Sequence, residues 1–157
     1  MTEKEKFMKL ALKEAQKAWK KDEVPIGCVI VKDGKVIARG HNMVESKKDS
    51  TCHAEIVAIK KAQKVIGDWR LSDCELYVSM EPCCACAGAI SNARVKKVYF
   101  GGYDKVFGGV ESVANILDVE SSYWKVPHEG GILQEQCVKM LKDFFMEKRK
   151  SKWRLLI

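Results

Sequence analysis

The sequence contains no run of about 18 or more apolar residues, the length a helix needs to cross a bilayer, so no membrane span or membrane partner is read from it. Its first ten residues, MTEKEKFMKL, lack the apolar run of a secretion signal. These two absences lead to the expectation of a cytoplasmic protein. Internal repeats, low-complexity tracts and linker-like stretches are missing too, and 157 residues suit a single domain over 1–157. Apolar residues make up 46% of the chain and charged residues 31%, a balance that excludes a disordered chain.

Cysteine is not scarce, but its number is odd. Seven cysteines without an export signal argue against a disulfide framework. Metal binding by a subset, with the rest as small apolar residues, is the better expectation. The net charge of +7 says little by itself. Its distribution says more: residues 139–154 hold seven Lys or Arg against Asp143 and Glu147, an excess of five. Phe144, Phe145 and Trp153 are interleaved with them. Such a segment reads either as a solvated terminal helix or as a surface that meets nucleotides.

Hydrophobic spacing predicts an amphipathic helix over 5–19, with Phe7, Leu10, Ala11, Ala15, Ala18 and Trp19 inward. Two apolar runs flank Asp33-Gly34, a hairpin signal. Residues 43–51 read as a polar loop whose Ser50 or Thr51 caps a helix over 53–66, ended by Gly67. CELYVSM (74–80) reads as a buried strand, and Pro82 as the opening of a helix from Cys83 to about Ser91. A strand at 95–101, a glycine-containing loop, a short helix near 113–117, a strand at 123–127 and a closing helix from Ile132 complete the chain. That last helix is expected to turn Ile132, Leu133, Cys137, Met140, Leu141, Phe144 and Phe145 inward. Strand–helix–strand units with an initial hairpin imply an α/β chain with a mixed sheet covered on both faces.

Two segments carry chemistry. His53-Ala54-Glu55 and Cys83-x-x-Cys86 each fall at a predicted helix start, with Cys84 about a third of a turn away from the other two cysteines. A Cys-x-x-Cys pair is either a redox dithiol or half of a metal site. One His and two Cys leave the fourth position of a tetrahedral zinc open to water, the mark of a catalytic site. A helix N-terminus favours the thiolates zinc requires. Glu55 need not be a ligand and is placed to take a proton from a water whose pKa zinc lowers to about 7.

H-x-E followed by P-C-x-x-C resembles the signature of the zinc-dependent nucleobase deaminases. The halves lie 27 residues apart from Glu55 to Pro82, room for one helix and one strand. Beyond the motif, the chain resembles the bacterial tRNA-specific adenosine deaminases along nearly its whole length. The resemblance is carried by EVPIG, His41-Asn42, HAEIVAI, WRL, LYVSMEPCCACAGAI, VYFG and DFF. It implies a three-layer α/β/α cytidine deaminase-like fold, with a mixed five-stranded sheet and helices on both faces. It implies one Zn2+ per chain on His53, Cys83 and Cys86, with Glu55 as catalytic proton shuttle. The implied substrate contacts are Asn42 on the adenine edge, the Ala54 backbone, Asp104 on the nucleotide backbone, and Phe145 and Arg149 on the last helix. The implied partners are a tRNA anticodon stem-loop, in which the wobble adenosine of tRNA-Arg becomes inosine, and a second copy in a homodimer.

The chain departs from that family's pattern in three places. KVFGGVES follows Asp104, Tyr123-Trp124-Lys125 replaces Asn-His-Arg, and Ser50 replaces a proline. The zinc motif is untouched, but the family meets its RNA with these segments. Other readings therefore stay open: a free-base or nucleoside deaminase acting on guanine, cytosine or a related small molecule, and a catalytically silent zinc-stabilised partner or RNA-binding module. An intact Glu55 argues against the last, because a purely structural zinc site does not require it.

Overall fold

Period-two alternation along the strands sorts the core into two layers. The computed structural model describes residues 1–155, with side chains as far as Ser151. Trp153, read above with the aromatics of the last helix, lies outside the described side chains. Strands β1 (Gly27–Lys32), β3 (Cys74–Met80) and β4 (Lys97–Gly102) are almost wholly buried, as a sheet covered on both faces requires. Even-numbered Cys28, Ile30, Leu76, Val78, Val98 and Phe100 pack with Ala54, Ala58 and Ile59 of α3 (Ala54–Ile66) and Ala87 and Ile90 of α4 (Cys84–Asn92). Odd-numbered Val29, Val31, Tyr77 and Tyr99 pack on the other side with Phe7, Met8 and Ala11 of α1 (Glu3–Lys20) and Cys137 of α5 (Gln134–Leu155). Trp19 meets Phe144 edge-on at 5.3 Å, tying the end of α1 to α5.

The sheet has five strands in the order β2-β1-β3-β4-β5, with β2 at Lys35–His41 and β5 at His128–Glu129. β1 is antiparallel to both neighbours, whereas β3, β4 and β5 run parallel. This is the expected mixed α/β/α arrangement. The β1–β2 turn is the Asp33-Gly34 pair read from sequence, with φ of 51° and 74°. Positive φ at both central positions fits a hairpin twist, and glycine adopts it without strain. Gly67 (φ 76°) ends α3 as expected. Among the described residues no helix is long and apolar enough to cross a membrane.

Several expectations need correction. Residues 43–51 are not a plain loop, because Val44–Lys47 form a short helix α2. Neither Ser50 nor Thr51 caps α3; its N-cap is His53, without a side-chain cap bond, and the Thr51 hydroxyl donates to Asp49 instead. Cys83 is the N-cap of α4, so Pro82 precedes the helix by two residues. The short helix after the glycine loop is a 3-10 turn at Ile116–Asp118. Residues 123–127 form no strand. Trp124 is held there by its indole N–H, which donates to the Val95 carbonyl at 2.9 Å, and β5 follows. Phe145 is not inward but 43% exposed.

Candidate metal centre and substrate cleft

Strand directions bring the sequence motifs to one edge of the sheet. Cys28 faces Val78 and Gly27 faces His41, so the start of β1 and the ends of β2 and β3 share that edge. The end of β4 joins them through the Met80–Gly102 pairing. Asn42 follows β2, Cys83 follows β3, and Asp104 follows β4. The carboxyl ends of parallel strands are where α/β sheets bind ligands. α3 delivers His53, Ala54 and Glu55 to the same place, and these residues line one cleft of about 1000 Å³ with Asn42, Cys83 and Asp104.

His53, Cys83 and Cys86 offer donor atoms that all lie within 4.8 Å of one another. His53 Nδ1 is 3.6 Å from Cys83 Sγ and 3.3 Å from Cys86 Sγ. Tetrahedral zinc with ordinary Zn–N and Zn–S bonds separates such a pair by about 3.5 Å, so the donor set fits the ion. Cys84 is exposed and stands outside the group. Hydrogen bonds from the Cys86 thiol and from His53 pull Cys83 down to about 3. Donation to Cys83, with burial, pushes the Cys86 thiol up, and the bond to Cys83 raises His53. The three groups thus compete for few protons, a competition that a cation relieves. Stripping the metal with a chelator is expected to lower the melting temperature, since the ion binds the folded state selectively, and equimolar zinc is expected to restore it. Thermal denaturation with parallel metal analysis checks this.

Glu55 is buried, and burial lifts its carboxyl to about 7. Asn42 is buried as well, and its amide oxygen has no hydrogen-bond partner among the described residues. Buried polar atoms are rarely left so, which suits a site awaiting a ligand donor. Asp104 lines the cleft, but one of its carboxylate oxygens also accepts the amides of Val106 and Phe107 at 3.0 Å each. Phe145 joins the lining from α5 together with Lys148, and Lys21 does so from the end of α1. Arg149 is exposed and is not among the residues that line the cleft.

Two buried glutamates frame the site, and sequence reading passed over both. Glu81 lies between β3 and Cys83 and accepts the amides of Asp104, Val110, Glu111 and Ser112 at 2.8–3.1 Å, together with the Ser112 hydroxyl. It thereby fixes the loop behind the cysteines. A Cβ on Gly108 would lie 2.6 Å from a Glu81 carboxylate oxygen, so only glycine fits that approach. Glu23 does the same for α2, accepting the amides of Glu45 and Ser46 and the Ser46 hydroxyl. Burial opposes ionisation of both, and the hydrogen bonds outweigh it, so both carboxyls sit below the ordinary glutamate value. A glutamate wedged between a strand and a proline was the available signal, but its partners lie 23 to 31 residues downstream.

Residues 1–102 match the zinc-binding region of cytidine and deoxycytidylate deaminases. A tRNA-specific adenosine deaminase of Bacillus subtilis (strain 168) is 46% identical over 152 residues, 97% of this chain and 94% of the relative. A solved structure from studies of A-to-I editing by tRNA:A34 deaminases at the wobble position superposes with a TM-score of 0.83 at 41% identity, covering 86% of this chain and 98% of its own. A guanine deaminase structure from Bacillus subtilis is 38% identical with a TM-score of 0.62, covering 78% of this chain and 82% of its own.

Proposed function

The chain belongs to the zinc-binding cytidine and deoxycytidylate deaminase family, and we propose that it converts adenosine to inosine at the wobble position of a tRNA anticodon, with tRNA-Arg as its substrate. It does so as one deaminase domain over 1–157, in the cytoplasm and as a homodimer. The observation that carries the reading is the cleft. Two of the three metal donors, His53 and Cys83, line it with Glu55, and the third, Cys86, lies buried beside them; Lys21, Lys148, Phe107 and Phe145 stand along it, and about 1000 Å³ is far more than one purine fills. A cleft lined by lysines and by exposed aromatic rings matches the phosphates and unstacked bases of single-stranded RNA.

His53, Cys83 and Cys86 hold the zinc, which supplies Lewis acidity that lowers the pKa of the attacking water. Glu55 takes the proton that water gives up as its oxygen bonds to the ring carbon carrying the amine. The same carboxyl delivers that proton to the adjacent ring nitrogen, then takes the remaining proton from the hydroxyl now on the carbon and passes it to the amine, as the carbon–oxygen bond becomes a carbonyl and the carbon–nitrogen bond breaks. Adenosine and water leave as inosine and ammonia. A carboxyl buried enough to titrate near neutrality suits both directions of transfer. Asn42 supplies the adenine edge with the acceptor that its unpaired amide oxygen represents, and the Ala54 backbone flanks the base. Asp104 and Phe145 meet the flanking nucleotides, and Arg149 reaches phosphate beyond the cleft.

The second reading, a free-base deaminase, is favoured by the likeness to a guanine deaminase. Zinc-loaded protein offered an arginine-tRNA anticodon stem-loop, and separately guanine, cytosine, cytidine and adenosine, distinguishes the two. Wobble inosine is expected, with rates that fall steeply as salt rises because phosphate contacts release counterions. Ammonia from a free base, with the RNA untouched, moves the chain to the other branch. Sedimentation of a stable, active monomer would remove the homodimer.

A further inference from the structure

We propose that Phe107 is a stacking platform for a base next to the edited adenosine; the inference rests on the RNA reading above. Phe107 is 68% exposed and yet lines the cleft. Single exposed apolar side chains are ordinary on protein surfaces, so exposure alone assigns nothing. Position and rigidity do. The Phe107 amide is fixed on Asp104, and the next residue, Gly108, pairs with Cys83 in an isolated antiparallel bridge. The ring is therefore carried one residue away from the backbone that sets a metal donor. A ring presented on so constrained a loop loses little freedom when it meets a ligand.

An adenosine drawn into the metal pocket abandons both of its stacking neighbours. Each neighbour is left with a bare π-face in water, and an aromatic ring at the lip covers one of them. A free purine brings no neighbour, so Phe107 serves RNA and not a nucleobase. Of the three departures, only this one reaches the cleft: Ser50 is exposed, Tyr123 is 99% exposed and Trp124 is tied to Val95, and none of them lines it.

The test compares wild type, F107A and F107W on three zinc-loaded reactions: the intact stem-loop, and stem-loops abasic at the position 5′ or 3′ to the adenosine. F107A is expected to raise KM about tenfold while kcat moves by less than about twofold, as expected for a lost base–aromatic stack. F107W restores KM. One abasic RNA raises the wild-type KM similarly, and on that RNA F107A adds nothing further. Equal F107A effects on all three RNAs, or none on the intact one, overturn the stacking role. So does a sedimentation shift that appears only in F107A, which would assign the ring to a contact between copies. Wild type that makes inosine in no RNA overturns the underlying reading together with this one, whereas wild type active on RNA with F107A unchanged overturns only this one.

Discussion

Glu55→Gln is expected to leave the zinc content of the purified protein unchanged and to lower kcat by on the order of 10² to 10⁴, the usual worth of a positioned acid–base group. The amide keeps the volume of a side chain that is only 4% exposed, so neither the cleft nor α3 has reason to move. What it removes is the proton traffic, because an amide neither takes up nor hands on a proton at neutral pH. Melting temperature should hold or rise, since a buried ionisable group becomes neutral. Single-turnover assays on the stem-loop, with metal analysis on the same preparation, check both halves. Near-normal turnover in the variant would remove Glu55 from the chemistry.

Glu81→Gln should lower stability by on the order of 3 kcal/mol, because an amide leaves several of the donors now converging on the carboxylate unsatisfied. For a chain of this size that is about 6–12 °C in melting temperature. Activity should fall with it, since the loop carrying Asp104 and Phe107 loses its anchor. The sign of the pH dependence follows from the direction of the shift. Glu81 is depressed in the folded state, so its contribution is full above the ordinary glutamate value of about 4.3 and drains away as pH falls through the lower folded value. The gap between wild type and variant should therefore be widest at neutral pH and narrow below about pH 4. Thermal denaturation across that range measures it, and a gap independent of pH would show that the charge is not what holds the loop.

Residues whose role is set by near neighbours were the ones legible in the sequence. CELYVSM is a strand because a continuous apolar run is what a doubly covered strand needs, and its bounds match those seen, Cys74–Met80. The hairpin turn and the glycine at the end of α3 are backbone demands written in one or two residues. The spacing of His53, Cys83 and Cys86 brought the donors together because each stands at the N-cap or in the first turn of a helix that leaves the same sheet edge. Long-range partners erased the rest. α2 is four residues long and has its first turn held by Glu23, about a turn beyond α1, so 43–51 carried no periodic signal. β5 has two residues, too few for alternation to register. Phe144 and Phe145 are adjacent on one helix, and only docking against Trp19 decides which of them is buried.

The Glu81 clamp also has a consequence for how this enzyme can diversify. Four of its five donors are main-chain amides, which every residue except proline supplies. Apart from Glu111, whose carboxylate meets His128 at 2.9 Å, the path of the loop is thus indifferent to the side chains at Lys105, Val106 and Phe107. Those positions are free to drift, or to be randomised in a library, while the backbone continues to seat Gly108 against Cys83. What the loop presents to the cleft and what seats it against the metal donors are thus heritable separately here, because the clamp reads main-chain amides rather than the side chains between them.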